Sequence, residues 1–433
     1  MSDRYQSWGR YPQAEHRLQQ LQWRSDAFPE IFGDSYLPFG NGRSYGDVCL
    51  NAGQTLIDCR PLNRLIEFDV TSGVLRCESG VLLSEILQFA VPKGWFLPVT
   101  PGTQLATLGG AIANDVHGKN HFSAGTFGRH VLRFELLRSD GSRLVCSPTE
   151  NSGFFNSTIA GLGLTGVICW AEIQLRTVET AYVDQENIRY GALNDFFELA
   201  SSSKEDYEHC VAWVDCLADG DNLGRGIFTR SNHSKRPGPD GTLNTGTRLS
   251  VPFELPFPVI NKLSLGAFNE LYYRKQGAEP SLAHVSYQSF YPLDAIKHWN
   301  RIYGTRGFFQ YQCVVPVDGM KDAVRDLLKC IAKSGEGSFL AVLKSFGALR
   351  SPGLLSFPMQ GATFALDFPN RGDRTLKLLA QLDHITRTAG GRIYPAKDAR
   401  MSADFFQTAY PEWANMNEFI DPKASSSFWR RVT

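Results

Sequence analysis

Cysteine pairing, excess charge and long apolar runs are all scarce in this sequence, and each absence removes a class of function. The nine cysteines among 433 residues are scattered from Cys49 to Cys330 with no C-x-x-C pair. That pattern is unlike a disulfide framework or a zinc site, so no metal is expected and a reducing, cytoplasmic setting fits best. Lys and Arg total 44 against 44 Asp and Glu. With no net charge the sequence-independent attraction behind nucleic-acid binding is missing, and no nucleic-acid partner is expected. No run approaches the roughly 18 apolar residues of a membrane span. Met1-Ser2-Asp3-Arg4-Tyr5 lacks the apolar core of an export signal. Peripheral contact with the inner face of a membrane stays open. No internal repeat or low-complexity tract breaks the chain.

Apolar residues make up 42% of the chain, and 40 glycines accompany 22 prolines, a globular composition with length for about two or three domains. Short strands are expected at Leu37–Phe39, Leu56–Asp58 and Leu65–Phe68, between glycine-rich turns. Leu82, Leu83, Ile86, Leu87 and Ala90 recur at helical spacing until Pro92 and Gly94 end the run. Val131–Arg138 and Arg143–Cys146 flank an Asp140-Gly141 hairpin turn, and Val167–Leu175 reads as a further strand. After about residue 178 the glycine-rich loops thin out, which sets a boundary between a domain at 1–180 and a second one. The second alternates strand Phe308–Val315, helix Lys321–Lys333, strand Phe339–Lys344, strand Ala362–Phe368 and helix Leu376–Thr388. The fold class is α+β.

Two motif matches fail on context. Gly161-Leu-Gly163-Leu-Thr-Gly166 fits G-x-G-x-x-G, but the dinucleotide fingerprint follows a strand and opens a helix, and here Asn156–Ala160 looks helical while a strand follows. Gly42-Arg-Ser44-Tyr-Gly46 fits G-x-S-x-G, yet no helical period follows the serine, as a nucleophile elbow requires. Two stretches remain: Pro38-Phe39-Gly40-Asn41-Gly42-Arg43-Ser44-Tyr45-Gly46-Asp47, and Pro101-Gly102-Thr-Gln-Leu-Ala-Thr107-Leu108-Gly109-Gly110-Ala111, followed by Asp115-Val-His117-Gly118-Lys119-Asn120. Backbone N–H groups freed of side-chain bulk can converge on phosphate oxygens, and Ser44, Thr107 and Asn120 can add hydrogen bonds to a cofactor. Either stretch alone is more readily a set of tight turns.

Together, P-x-G-N-G-R-S-Y-G-D and P-G-T-x-x-x-T-L-G-G-A resemble the pyrophosphate-binding loops of the vanillyl-alcohol-oxidase (PCMH) type FAD-linked oxidoreductases. From Ser7-Trp8-Gly9-Arg10 almost to the last residue, the chain is similar to the branch that supplies the flavin subunit of decaprenylphosphoryl-ribose 2′-epimerases, in lipid-linked arabinose synthesis. His117-Gly-Lys119-Asn120-His121, Glu270-Leu-Tyr-Tyr-Arg274-Lys275, Tyr291-Pro-Leu-Asp294, Gln310-Tyr-Gln312 and Tyr394-Pro-Ala-Lys397-Asp398 carry that match in order. The resemblance implies a mixed FAD domain at 1–180, an antiparallel-sheet substrate cap at 181–391, and a segment 392–433 that returns to the FAD domain. It implies that Pro38–Asp47, Gly102, Thr107–Gly110, His117–Asn120, Ile168 and Tyr394 contact FAD. It further implies an NADH-dependent short-chain reductase as partner. Aldonolactone oxidases carry a flavin-linking histidine where this chain has Arg43, so the FAD is expected to be non-covalent.

Oxidation of a secondary alcohol needs a proton acceptor beside the flavin. Lys397 is the candidate, since a partly dry pocket lowers an amine pKa; a surface lysine paired with Asp398 is the bland alternative. His117 is a second candidate, to hydrogen-bond the flavin or relay a proton. Lys119 and Lys344 suit a phosphodiester. Gln310 and Gln312 share one strand face and suit sugar hydroxyls, and Tyr291, Thr363 and Ala365 complete the expected substrate set. Ala365 stands where the epimerase branch usually has a cysteine beside the flavin; Cys313 is the nearest substitute in sequence but should point to the opposite sheet face. Val251–Val259 alternates apolar residues with three prolines, an extended flap whose apolar side chains need a cover. The expected reaction is oxidation of the 2-hydroxyl of a polyprenyl-phosphate-linked ribose, with a free-sugar, alditol or aldonolactone oxidase, or a non-catalytic binding protein of the same fold, as alternatives.

Overall fold

The computed structural model describes residues 5–238, 249–254 and 260–433; part of the expected flap, residues 255–259, lies outside them. Short apolar runs between glycine turns become β1 (Arg17–Gln20), β2 (Tyr36–Phe39) and β3 (Thr55–Asp58), a parallel sheet with β3 central. A five-stranded antiparallel sheet follows: β4 (Leu65–Asp69), β5 (Val74–Glu78), β6 (Val131–Leu137), β7 (Arg143–Cys146) and β8 (Val167–Gln174), in the order β4-β5-β8-β6-β7. Between β5 and β6, helix α1 (Leu83–Ala90) buries Leu83, Ile86, Leu87 and Ala90, and Glu85 accepts the Leu82 backbone N–H at 2.8 Å. A 3-10 turn (Val91–Lys93) follows α1 and stops at Gly94, which takes the left-handed conformation.

Eight strands from β9 (Tyr182–Tyr190) onward form the second large sheet, antiparallel throughout: β10 (His209–Val214), β11 (Gly226–His233), β12 (Ser281–Ser286), β13 (Phe308–Pro316), β14 (Val342–Phe346), β15 (Gly361–Pro369) and β16 (Arg392–Ile393). Their order is β12-β9-β11-β10-β14-β15-β13-β16. Period-two alternation divides the strands between two environments. Phe309, Tyr311, Cys313 and Val315 of β13 enter a core closed by helices at Met320–Ser334 and Asp373–Thr388. Gln310 and Gln312, between them, face a cavity. The strand expected at Phe339–Lys344 begins instead at Val342. The Leu340 N–H bonds to Ser338 Oγ at 3.0 Å, a local turn that competes with the ladder.

Residues after β16 return to the first sheet. The Tyr45 N–H bonds to Ala396 O at 2.9 Å, and the Tyr36 N–H to Lys423 O at 2.8 Å. Arg431, on the last helix (Ser427–Val432), donates to Asp47 at 2.9 and 2.8 Å and to Asp398 at 2.8 Å. Both carboxylates are buried at 3% exposure, so the guanidinium is the cation that offsets two desolvated anions. Arg431→Met should therefore lower the free energy of unfolding by about 3–5 kcal/mol, seen as a lower urea midpoint at pH 7. An unchanged midpoint would contradict this account.

Candidate active site

The two glycine-rich stretches are built against each other. Asn41 donates to Leu105 O at 2.8 Å, and Thr107 Oγ1 caps a short helix (Leu108–Ala113) by accepting the Gly110 N–H. A Cβ on Gly40 would lie 2.5 Å from that same hydroxyl, and one on Gly46 would lie 1.6 Å from Asp398 O. No side chain fits at either position. Together with the inner face of the second sheet, these backbones enclose a cavity of about 490 Å³.

Most of the residues singled out in the sequence line this cavity. Pro38 to Ser44 and Gly102, Thr107, Gly109 and Gly110 form one side, with His117, Gly118, Lys119, Ile168 and Tyr394 adjoining. Gln310, Gln312, Lys344, Ala365 and Lys397 face them. Seven expected contacts stand back from the wall, the first being Asp47, which is held by Arg431. Leu108 is fully buried in the core under α1; Gly46 is pressed against Asp398 O; Asn120 donates to Pro98 O at 2.9 Å and holds its own loop. Tyr291 is hydrogen-bonded to Thr100 Oγ1 at 2.7 Å. Thr363 donates to Cys313 O at 2.8 Å. Tyr45 lies beneath Lys397, whose Nζ sits 3.8 Å from its ring centroid.

Burial sets the electrostatics. Desolvation pushes the Lys119 ammonium down to about 8, and those of Lys344 and Lys397 down to about 7. Asp367 Oδ1 accepts from Gln310 Nε2 at 2.8 Å; burial lifts its carboxyl to about 7, and it attracts the Lys397 charge. His117 is held well below its ordinary value by burial and then by Lys344, so its ring is neutral. Gln312 Nε2 lies 2.9 Å from His117 Nε2, and Lys344 Nζ lies 3.4 Å from Nδ1. With the amide donating to Nε2, the single ring proton sits on Nδ1, 3.4 Å from Gly118 O, a carbonyl that Lys344 Nζ also reaches at 3.4 Å.

The cavity also uses residues that sequence reading passed over. The rejected G-x-G-x-x-G stretch contributes Leu162, Gly163 and Gly166, and Leu162 takes a left-handed φ of 56°. It serves as a wall turn between a helix and β8, the reverse of a nucleotide fingerprint. Strand alternation on β9 to β11 adds Gln185, Asn187 and Thr229, and an apolar end is made by Val211, Trp213, Tyr272, Leu340 and Val342. Nothing local marks these residues, because they converge only once the sheet forms. Cys49 and Cys59 line the wall, while Cys313 is packed in the core as expected. Burial pushes the Cys49 thiol up to about 12, and the Cys59 thiol is also raised. Beside the cavity, Glu208, His209 and His233 gather within 4.8 Å, but the Arg176 guanidinium already occupies the Glu208 carboxylate.

The donor set fits FAD. Arg43 Nε, Ser79 Oγ and Asn114 Oδ1 are buried cavity-lining atoms without a hydrogen-bond partner among the described residues. They leave acceptor and donor capacity for a polar ligand beside two glycine backbones. Comparison with known proteins agrees. The FAD binding domain family matches residues 30–147. The chain is 36% identical over 403 residues to decaprenylphosphoryl-β-D-ribose oxidase of Mycolicibacterium smegmatis, covering 90% of this chain and 87% of that protein. It is 31% identical to an uncharacterised protein of Streptomyces coelicolor over 81% of this chain and all of that one. A shorter match, 30% over 111 residues, links it to human Δ(24)-sterol reductase and covers 26% of this chain and 22% of that protein. Glycine cradle, orphaned polar atoms and similarity along nine-tenths of the chain converge: this chain belongs to the decaprenylphosphoryl-β-D-ribose oxidase family and is an FAD-dependent oxidoreductase.

Proposed function

We propose that this protein oxidises the 2-hydroxyl of a polyprenyl-phosphate-linked ribose to the 2-keto sugar, the first half of an inversion that gives the arabinose lipid. The observation that carries this reading is the joining, in one cavity, of two lysines, Lys119 and Lys344, with an apolar end at Trp213 and Tyr272. A free sugar needs neither. A phosphodiester with a prenyl tail needs both, since a buried anion requires cations and the tail requires apolar walls.

In this reading residues 1–180 and 392–433 hold FAD and residues 181–391 hold the lipid-linked sugar. FAD, when bound, accepts the hydride from the carbinol carbon. Lys397, as the free amine that burial favours, takes the hydroxyl proton, and Asp367 steadies the ammonium so formed. Gln310 and Gln312 orient the sugar hydroxyls, and Lys119 with Lys344 balances the phosphate. His117, neutral and held by Gln312, positions rather than titrates. Ala365 leaves room where the branch usually has a thiol. An NADH-dependent short-chain reductase completes the inversion by reducing the keto sugar from the other side.

Under anaerobic conditions a ribosyl phosphoprenol should bleach the flavin, while free ribose at the same concentration leaves it oxidised; equal bleaching by both would refute the substrate class. Lys397→Ala should slow that reduction by about 10²–10⁴-fold with FAD content retained. In the native enzyme kcat at saturating substrate should rise as pH climbs through about 7, because the base acts as the amine while bound phosphate keeps Lys344 charged, and the variant should lose that limb. Acid precipitation should release all the flavin, since Arg43 stacks on Trp8 at 4.2 Å and offers no covalent link; yellow protein in the pellet would argue otherwise. Gly110→Val should bind no FAD, its Cβ already 3.0 Å from the Thr107 hydroxyl. Inhibitors that bond to the cysteine of relatives should bind here reversibly. Intact mass after turnover checks this, and a stoichiometric adduct tracking inactivation would disprove it.

A further inference from the structure

Of the fifteen large apolar side chains exposed among the described residues, eight lie between Leu249 and Ile296. Four of these belong to the helix Lys262–Lys275. Leu263 is 84% exposed and Leu271 72%, on one side of the helix at i, i+8; Phe268 and Tyr272, i, i+4 to each other, extend this apolar stripe from Leu271 round toward the packed side. The opposite face is committed to the protein: Leu265 is buried, and Asn269 donates to Asp215 at 2.6 Å. Cations stand at both ends, Lys262 at the start and Arg274 and Lys275 at the end, and the one acid of the helix, Glu270, is engaged by Arg225 and Arg274.

This stripe is continuous with the site. The Tyr272 ring stacks on Phe268 at 5.6 Å and meets Trp213 at 4.7 Å, and Tyr272 and Trp213 both line the apolar end of the cavity. A helix of 14 residues is about 21 Å long, too short to cross a bilayer, and no described helix is long and apolar enough to do so. The exposed leucines and the cations Lys262 and Lys275, unpaired among the described residues, suit contact with an anionic headgroup surface rather than a span.

We propose that the helix Lys262–Lys275 docks on an anionic bilayer and places the Trp213–Tyr272 end of the cavity where a prenyl chain can pass from membrane to site. The delivery half rests on the substrate reading above; the docking half does not. A second copy of this chain is the less suitable occupant, because cations at both ends of the stripe would face each other across a symmetric contact.

The test uses the FAD-loaded protein and flotation with vesicles of phosphatidylglycerol and phosphatidylcholine, or of phosphatidylcholine alone. Wild type should float with the anionic vesicles, and Leu263→Glu/Leu271→Glu should lose at least about tenfold in affinity. Neither leucine lines the cavity, so FAD content and flavin reduction by a short-chain, water-soluble ribosyl phosphoprenol should stay within about twofold. Turnover of a long-chain substrate embedded in the vesicles should fall at least about tenfold. Lys262→Glu/Lys275→Glu should weaken binding to the anionic vesicles and leave the zwitterionic ones unaffected. Wild type that ignores anionic vesicles, or a leucine variant that binds them as well as wild type, overturns the proposal. So does a wild-type dimer in sedimentation that the leucine variant abolishes. If wild type docks but reduces no flavin with either substrate, the substrate reading fails and the docking surface stands.

Discussion

The cavity depends on two backbones approaching more closely than side chains allow. Gly40 lies against the Thr107 hydroxyl, that hydroxyl caps the next helix, and Asn41 reaches across to Leu105. One loop therefore fixes the start of a helix whose glycines face the cavity, and the helix in turn fixes the loop. A Cβ at the contact would disturb both partners. The close packing of glycine to a capping threonine turns two flexible stretches into a rigid cradle.

Electrostatics impose a second condition. Lys344 and Lys397 give up their protons near pH 7 in the fold and near 10 in the unfolded chain, so their contribution to stability grows as pH rises through that window. Asp367 takes up a proton near 7 in the fold but only near 4 when unfolded, so its contribution declines as pH rises from about 4 to 7. The two trends meet near neutrality, where these three buried groups together contribute least to stability.

How much of this could be read from the chain depends on locality. Pro38–Gly46 and Gly102–Gly110 announced themselves because a backbone role leaves glycines in the sequence. Period two puts Gln310 and Gln312 on one strand face, but that this face meets a sugar, and that Lys397 is more than a surface lysine, came only from the family resemblance. Asp367 was not legible: its importance comes from facing Gln310 and Lys397 across strands, and an aspartate followed by Phe368-Pro369 carries no local sign of it. Tyr45, Leu108 and Thr363 sit within or beside site motifs, yet one lies beneath Lys397, one is core, and one ties β15 to β13. A motif tells which segment approaches the site and leaves open which side chain faces inward. The start of β14 was misplaced for a related reason: a serine turn at Ser338 overrides the apolar run.

The tie between Arg431 and Asp47 joins residues 384 apart, and this has a consequence for biosynthesis. A ribosome makes the first glycine loop long before Tyr394, Lys397 and Arg431 exist. Until the helix Ser427–Val432 has been made, Asp47 lacks the guanidinium that offsets its burial in the fold. Loop closure over such a separation costs entropy that only the completed contact recovers. The contact that seats the first glycine loop is thus among the last that synthesis makes available, although that loop is among the first segments made.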